Sequence, residues 1–154
     1  MSSDLLSRLL IAGLVTGVTD GLFSSGLAAF AYGSTVTRLW QGVAATLLGA
    51  AAFEGGVRTA AIGLLMHFGV AFTWSAVFLA LVLSSSWIRG AVASPSGVLA
   101  AAALYGPLIW LVMSLAVIPL LTHRPPVINL RWWVQFFGHI PFVALPIAGL
   151  IALR

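Results

Sequence analysis

The chain has 154 residues, 61% of them apolar and about 71% once its 16 glycines are counted, with only 6% charged; roughly 45–50% is the apolar share of an ordinary soluble domain, so a water-soluble fold is excluded. Seven arginines, no lysine and three acids leave a net charge of +4, but the arginines stand singly between apolar runs, which excludes a nucleic-acid-binding surface. The lack of cysteine excludes a disulfide framework, a thiolate nucleophile, a Cys-ligated zinc and an iron–sulfur cluster.

A membrane-spanning helix needs ~20 mostly apolar residues to cross a hydrocarbon core of ~30 Å. The first stretch that meets this need, 7–32, is interrupted only by Asp20. Arg8 ahead of an apolar run and Ala29-Phe30-Ala31 imitate a secretory leader and its cleavage site, but Asp20 and the length of the run favour a retained span. Residues 37–53 are apolar but short. They open on Arg38, Trp40 and Gln41 and run into Glu54, Gly55, Gly56 and Arg58, a pattern that predicts an interfacial or re-entrant helix, with a short fifth crossing as the alternative. The second span covers 56–84 and the third 97–121. The fourth, 132–153, holds His139, Pro141 and Pro146, prolines that neighbouring helices make tolerable in a bilayer. The connections at 84–96 and 122–130 are brief, and the second is broken by Pro125-Pro126. The expected fold is all-α: one polytopic membrane domain over 1–154, with four transmembrane helices, a short helix at 37–53, and both termini on one side. Arg8, Arg89 and Arg154 then fall on one side and Arg38, Arg58, Arg124 and Arg131 on the other, so arginine bias assigns no orientation. The halves share no repeat, which argues against an inverted-repeat transporter.

In lipid, helices associate through small residues and polar contacts, since no water drives apolar surfaces together. In the first span Gly13, Gly17, Gly21, Ser25 and Ala29 recur every four residues beside Ala12, Thr16, Asp20, Ser24 and Ala28, while Leu14, Leu22, Leu27 and Phe30 fall elsewhere. This face should look into the bundle and take Asp20 with it. Gly56, Ala60, Gly63, His67 and Ala71 do the same for the second span, and Ala102 and Gly106 beside Tyr105 for the third. In the fourth, Gln135 and His139 lie one turn apart.

A rise of 1.5 Å per residue puts Asp20 and His67 each roughly 16 Å, and His139 roughly 10 Å, from the side carrying the first and third connections. Three ionisable groups therefore share about one level. A lone charge there costs several kcal/mol, so such groups pair, neutralise or line a wet cavity. The simplest role for them is to fix helix register by hydrogen bonding, with Asp20 and His67 as the expected pair. Three chemical roles compete with it: a proton relay, ligation of haem iron or another metal by His67 and His139, and a lipid or quinone pocket walled by Trp74, Trp110 and Phe142. Glu54 and Arg58, one turn apart, predict a local ion pair. Alternatively Arg38, Gln41, Glu54, Arg58, His123 and Arg131 form the mouth of a funnel leading to His139 and His67, while Tyr32, Trp40, Trp132 and Trp133 make an interfacial belt. There is no nucleophile elbow, zinc-protease motif, P-loop or dinucleotide fingerprint, and three acids supply little for a carboxylate dyad, so enzymatic chemistry has little support.

The run Leu39-Trp40-Gln41-Gly42, Leu47-Leu48-Gly49, Ala52-Phe53-Glu54-Gly55-Gly56, Thr59-Ala60, Gly63-Leu64 and His67-Phe68 resembles the central signature of a family of small bacterial inner-membrane proteins with four hydrophobic helices. Tyr105-Gly106, Met113, Val117-Ile118-Pro119-Leu120, His139 and Leu145-Pro146-Ile147-Ala148 resemble its later landmarks in order. Val77-Phe78, Ser114 and Ala144 depart from it, standing where the family tends to have tyrosines, Asn and Gly. The resemblance implies a multi-pass inner-membrane location and a shared scaffold, and it carries over no activity. The expected function is that of a non-enzymatic membrane component: an accessory or oligomeric subunit, or a carrier of a small apolar molecule, its partners the lipid bilayer and a second copy or another membrane protein. The alternative is a proton-coupled or redox protein using Asp20, His67 and His139.

Overall fold

The structure, a computed structural model, describes residues 3–152. Within them the chain is all helix: α1 (Ser3–Ala31), α2 (Val36–Leu48), α3 (Gly56–Ser84), α4 (Ser86–Ala91), α5 (Pro95–Thr122) and α6 (Leu130–Ile151). Four of these, α1, α3, α5 and α6, are long and apolar enough to cross a membrane, the mark of a multi-pass membrane protein. The predicted ends at residue 153 and Arg154 lie outside the described residues.

Local chemistry sets the boundaries. Thr35 caps α2, its hydroxyl accepting from the Arg38 amide at 3.1 Å, and Ser85, Ser94 and Asn129 cap α4, α5 and α6 in the same way. Thirteen residues of α2 reach only ~20 Å, short of a crossing. The helix stops earlier than expected because Gly49 turns to φ +66°, and a tight 3-10 turn over Gly49–Glu54 leads to Gly56 at φ +57°, where α3 starts. That turn is tied down by the Thr59 hydroxyl donating to the Ala52 carbonyl at 2.6 Å. The six-residue α4 was read as plain connection; it is too short to show a periodic apolar face.

The small faces are packing faces. A Cβ on Gly13 or Gly17 would occupy the place of the Phe72 or Phe68 ring of α3, so α1 offers notches that two aromatic knobs fill. Gly63 lets α3 touch the backbone of α2 at the Trp40 carbonyl, and Gly106 lets α5 touch that of α6 at His139. Leu14, Leu22 and Phe30 point outward, and Phe30 is 93% exposed. Arg8 pairs with Asp4 at 3.0 Å and donates to the Ala152 carbonyl at 2.9 Å, so the start of α1 and the end of α6 lie together.

Three helices carry wide π turns: Leu27–Ala31 in α1, Met113–Val117 in α5 and Ile140–Ala144 in α6. The last has a visible cause, since Pro146 has no amide hydrogen for the Phe142 carbonyl four residues back. The Thr19 hydroxyl of α1 donates to that carbonyl instead, at 2.6 Å. The dry core lies toward the chain ends, where Phe78, Val82, Ile109, Ile147 and Ile151 pack together. Toward α2 the bundle opens into two cavities.

Candidate functional site

The inner cavity, about 290 Å³, lies where five helices meet. α1 contributes Thr16, Asp20 and Ser24; α2 Leu39, Trp40 and Val43; α3 His67 and Trp74; α5 Ile109, Trp110 and Met113; α6 Gln135, His139 and Val143. The small face of α1 turns Asp20 toward α3, where the imidazole of His67 meets it: Nδ1 stands 3.8 Å from Oδ2, and each side chain is 14% exposed. That separation is ion-pair distance but beyond a hydrogen bond.

Two backbone carbonyls fix the ring protons. His67 Nε2 lies 2.9 Å from the Gly17 carbonyl and His139 Nδ1 2.8 Å from the Gln135 carbonyl. A carbonyl only accepts, so both nitrogens carry hydrogen and donate, which leaves His67 Nδ1 and His139 Nε2 as acceptors while the rings are neutral. Each imidazole also rests on an indole, His67 on Trp40 with ring centres 5.0 Å apart and His139 on Trp110 at 4.9 Å. Asp20, His67 and His139 all line this one space. Gln135 donates to the Ser24 hydroxyl at 3.3 Å. Asp20 Oδ1 and Trp110 Nε1 are buried with no hydrogen-bond partner. Among the described residues, no group of three or more His, Cys, Asp or Glu side chains is arranged to hold a metal ion.

Asp20, His67 and His139 line one space, and Trp40, Trp74 and Trp110 stand in its wall. Phe142 is absent from that wall. It stacks on Phe23 with ring centres 4.4 Å apart.

The residues expected at the mouth lie elsewhere in the fold. None of Arg38, Gln41, Glu54 and Arg58 lines either cavity. Gln41 is buried and donates to the Gly56 carbonyl at 3.1 Å, which closes the α2–α3 hairpin. The Arg38 guanidinium lies over the Phe53 ring, 4.2 Å from its centre. Glu54 and Arg58 are exposed and form no ion pair among the described residues, because Glu54 sits in the 3-10 turn before α3 begins, off the helical face that carries Arg58. The expected belt divides: Trp40 and Trp132 are buried, and Trp132 donates its indole hydrogen to the Ser114 hydroxyl at 3.1 Å, whereas Trp133 stays half exposed.

The wider outer cavity, about 600 Å³, runs between the end of α2, the 3-10 turn and the end of α5, with Arg124 at its edge. Trp110 and Ile118 border both spaces and form the partition between them. Arg124 was not singled out from the sequence; its place beside the Pro125-Pro126 break was the available signal. Comparison with known proteins yields no match to a family model, to a curated protein or to a solved structure.

Proposed function

We propose that this chain is a non-enzymatic component of a bacterial inner membrane that holds a small, mostly apolar molecule in the cavity among its five helices. The observation that carries this reading is the Asp20 carboxylate on the wall of that space: neither of its oxygens receives a hydrogen bond among the described residues, and indoles and aliphatic side chains make up much of the same wall. A polar group whose only task was to fix helix register would take its partner from the next helix, as Thr19 does with Phe142. The bacterial inner membrane rests on the resemblance of the Trp40-Gln41-Gly42 to His67-Phe68 block.

A second reading, proton coupling, is favoured by the 3.8 Å separation of Asp20 and His67. With Nε2 already donating to a carbonyl, one proton can rest on Nδ1 or on the carboxylate, and His139 lines the same cavity.

Native mass spectrometry after mild extraction tests the first reading. A bound small molecule is expected on the wild-type protein and is expected to be lost from Val43→Phe, which fills the cavity from α2 while the protein stays monodisperse. Protein that leaves the membrane empty and takes up nothing from a total membrane extract overturns it. A visible spectrum of the same sample reads the redox alternative through a Soret band.

A further inference from the structure

We infer that the molecule held by the inner cavity is a small organic cation, a protonated amine on an apolar body; this rests on the reading of that cavity as a ligand site. The donor and acceptor inventory leads there. His67 Nε2–H and His139 Nδ1–H are committed to backbone carbonyls, and Gln135 donates to Ser24. Neither oxygen of Asp20 receives a hydrogen bond among the described residues, and Oδ1 is fully shut off from solvent. The acceptors on its wall that receive no hydrogen bond are the Asp20 carboxylate and the second nitrogen of each imidazole. Donors are present as well, since the Ser24 hydroxyl keeps its own hydrogen while accepting from Gln135, and the Gln135 amide has a second N–H. What separates possible occupants is the carboxylate, which an N–H donor satisfies and an anionic occupant repels.

Charge points the same way. The carboxylate is the cavity's one acidic group, and the imidazole beside it stands too far away to share a hydrogen bond. A buried carboxylate calls for a cation, and the indoles of Trp40, Trp74 and Trp110 in the same wall attract one through their π faces. A bare metal ion fits less well, because no group of three or more His, Cys, Asp or Glu converges to hold one among the described residues. At about 290 Å³ the space sits at the small end of ligand pockets, which run from roughly 300 to 1,000 Å³. It suits a body of one ring or a short chain.

The test uses the full chain in phosphatidylcholine nanodiscs at neutral pH, with benzylamine, benzyl alcohol and benzoate as probes of one shape and different charge. Binding is read by tryptophan fluorescence and calorimetry against empty nanodiscs. Benzylamine is expected to bind at least about tenfold more tightly than benzyl alcohol, benzoate not at all, and Asp20→Asn is expected to erase the preference while retaining the alcohol. Because the panel is read first on the wild-type protein, the outcome does not depend on whether that variant folds. Equal binding of amine and alcohol, a preference for benzoate, or an unchanged amine preference in a folded Asp20→Asn protein overturns the cation and leaves the carrier reading standing. Binding of none of the three overturns both.

Discussion

The end of the bundle near the termini and the end near α2 are built from the same four long helices, yet they treat polar groups in opposite ways. In the dry half, Phe78, Val82, Ile109, Ile147 and Ile151 fill the space, and the Tyr105 hydroxyl that enters it donates to the Trp74 carbonyl at 2.7 Å. In the other half, Asp20 Oδ1, Trp110 Nε1 and the Tyr32 hydroxyl are buried without hydrogen-bond partners, and Tyr32 lines neither cavity. Unsatisfied polar atoms are costly in a low-dielectric interior, so their confinement to one half marks it as the part shaped for something other than stability.

Within the cavity half, backbone meets backbone where α3 touches α2, and the largest expected effect lies there. At Gly63 an added Cβ would run into the Trp40 carbonyl, main chain that cannot swing aside as a side chain can. Gly63→Leu should therefore push α2 off α3, open the inner cavity, and cost about 3 kcal/mol or more. Thermal melting and size exclusion in mild detergent are expected to show loss of the monodisperse species. Gly149, with open space around it, is the control: Gly149→Leu should stay within about 0.5 kcal/mol of wild type. If both variants behave alike, the close approach at Gly63 is not what holds the cavity half together.

A middle-sized effect is expected at the irregular turn of α6. The Phe142 carbonyl, left by Pro146 without its usual donor, relies on Thr19 at 2.6 Å, and Val is nearly the same shape as Thr without the hydroxyl. Thr19→Val should cost about 1 kcal/mol, read by reversible unfolding in mixed micelles. The same change in the background Pro146→Ala, where an amide can serve the carbonyl, should cost less. Equal costs in both backgrounds would mean that the turn owes nothing to Thr19.

What the sequence could tell follows the dimension of each feature. Span length and the four-residue recurrence of Gly13, Gly17 and Gly21 are properties of one helix, so the four long apolar helices and the small face on which α1 meets α3 were readable. Helix rotation is settled between helices. Nothing in the run Arg38 to Phe53 says that Trp40 turns inward onto His67, because Gly63 on a different helix makes that approach feasible. Placing Arg38, Gln41, Glu54 and Arg58 at a cavity mouth used only the side on which they fall, and a side is not a direction. The service of Phe142 by Thr19 joins positions 123 apart, beyond any local pattern.

The smallest effect asks most directly whether the halves differ. If Asp20 and His67 were a structural ion pair, removing one would leave the other uncompensated, and a double-mutant cycle of Asp20→Asn and His67→Leu would return a large coupling. Their 3.8 Å separation points instead to a pair held open, with the imidazole anchored to Gly17 and the carboxylate left for an occupant. The expected coupling in bicelles is therefore about 0.6 kcal/mol, the ordinary size of an interhelical polar contact in a bilayer. The sign should still be favourable, since losing both groups removes two polar burdens together. A coupling above about 2 kcal/mol would show that the two residues satisfy each other as fully as any pair in the dry half, and the contrast between the halves would fall with it.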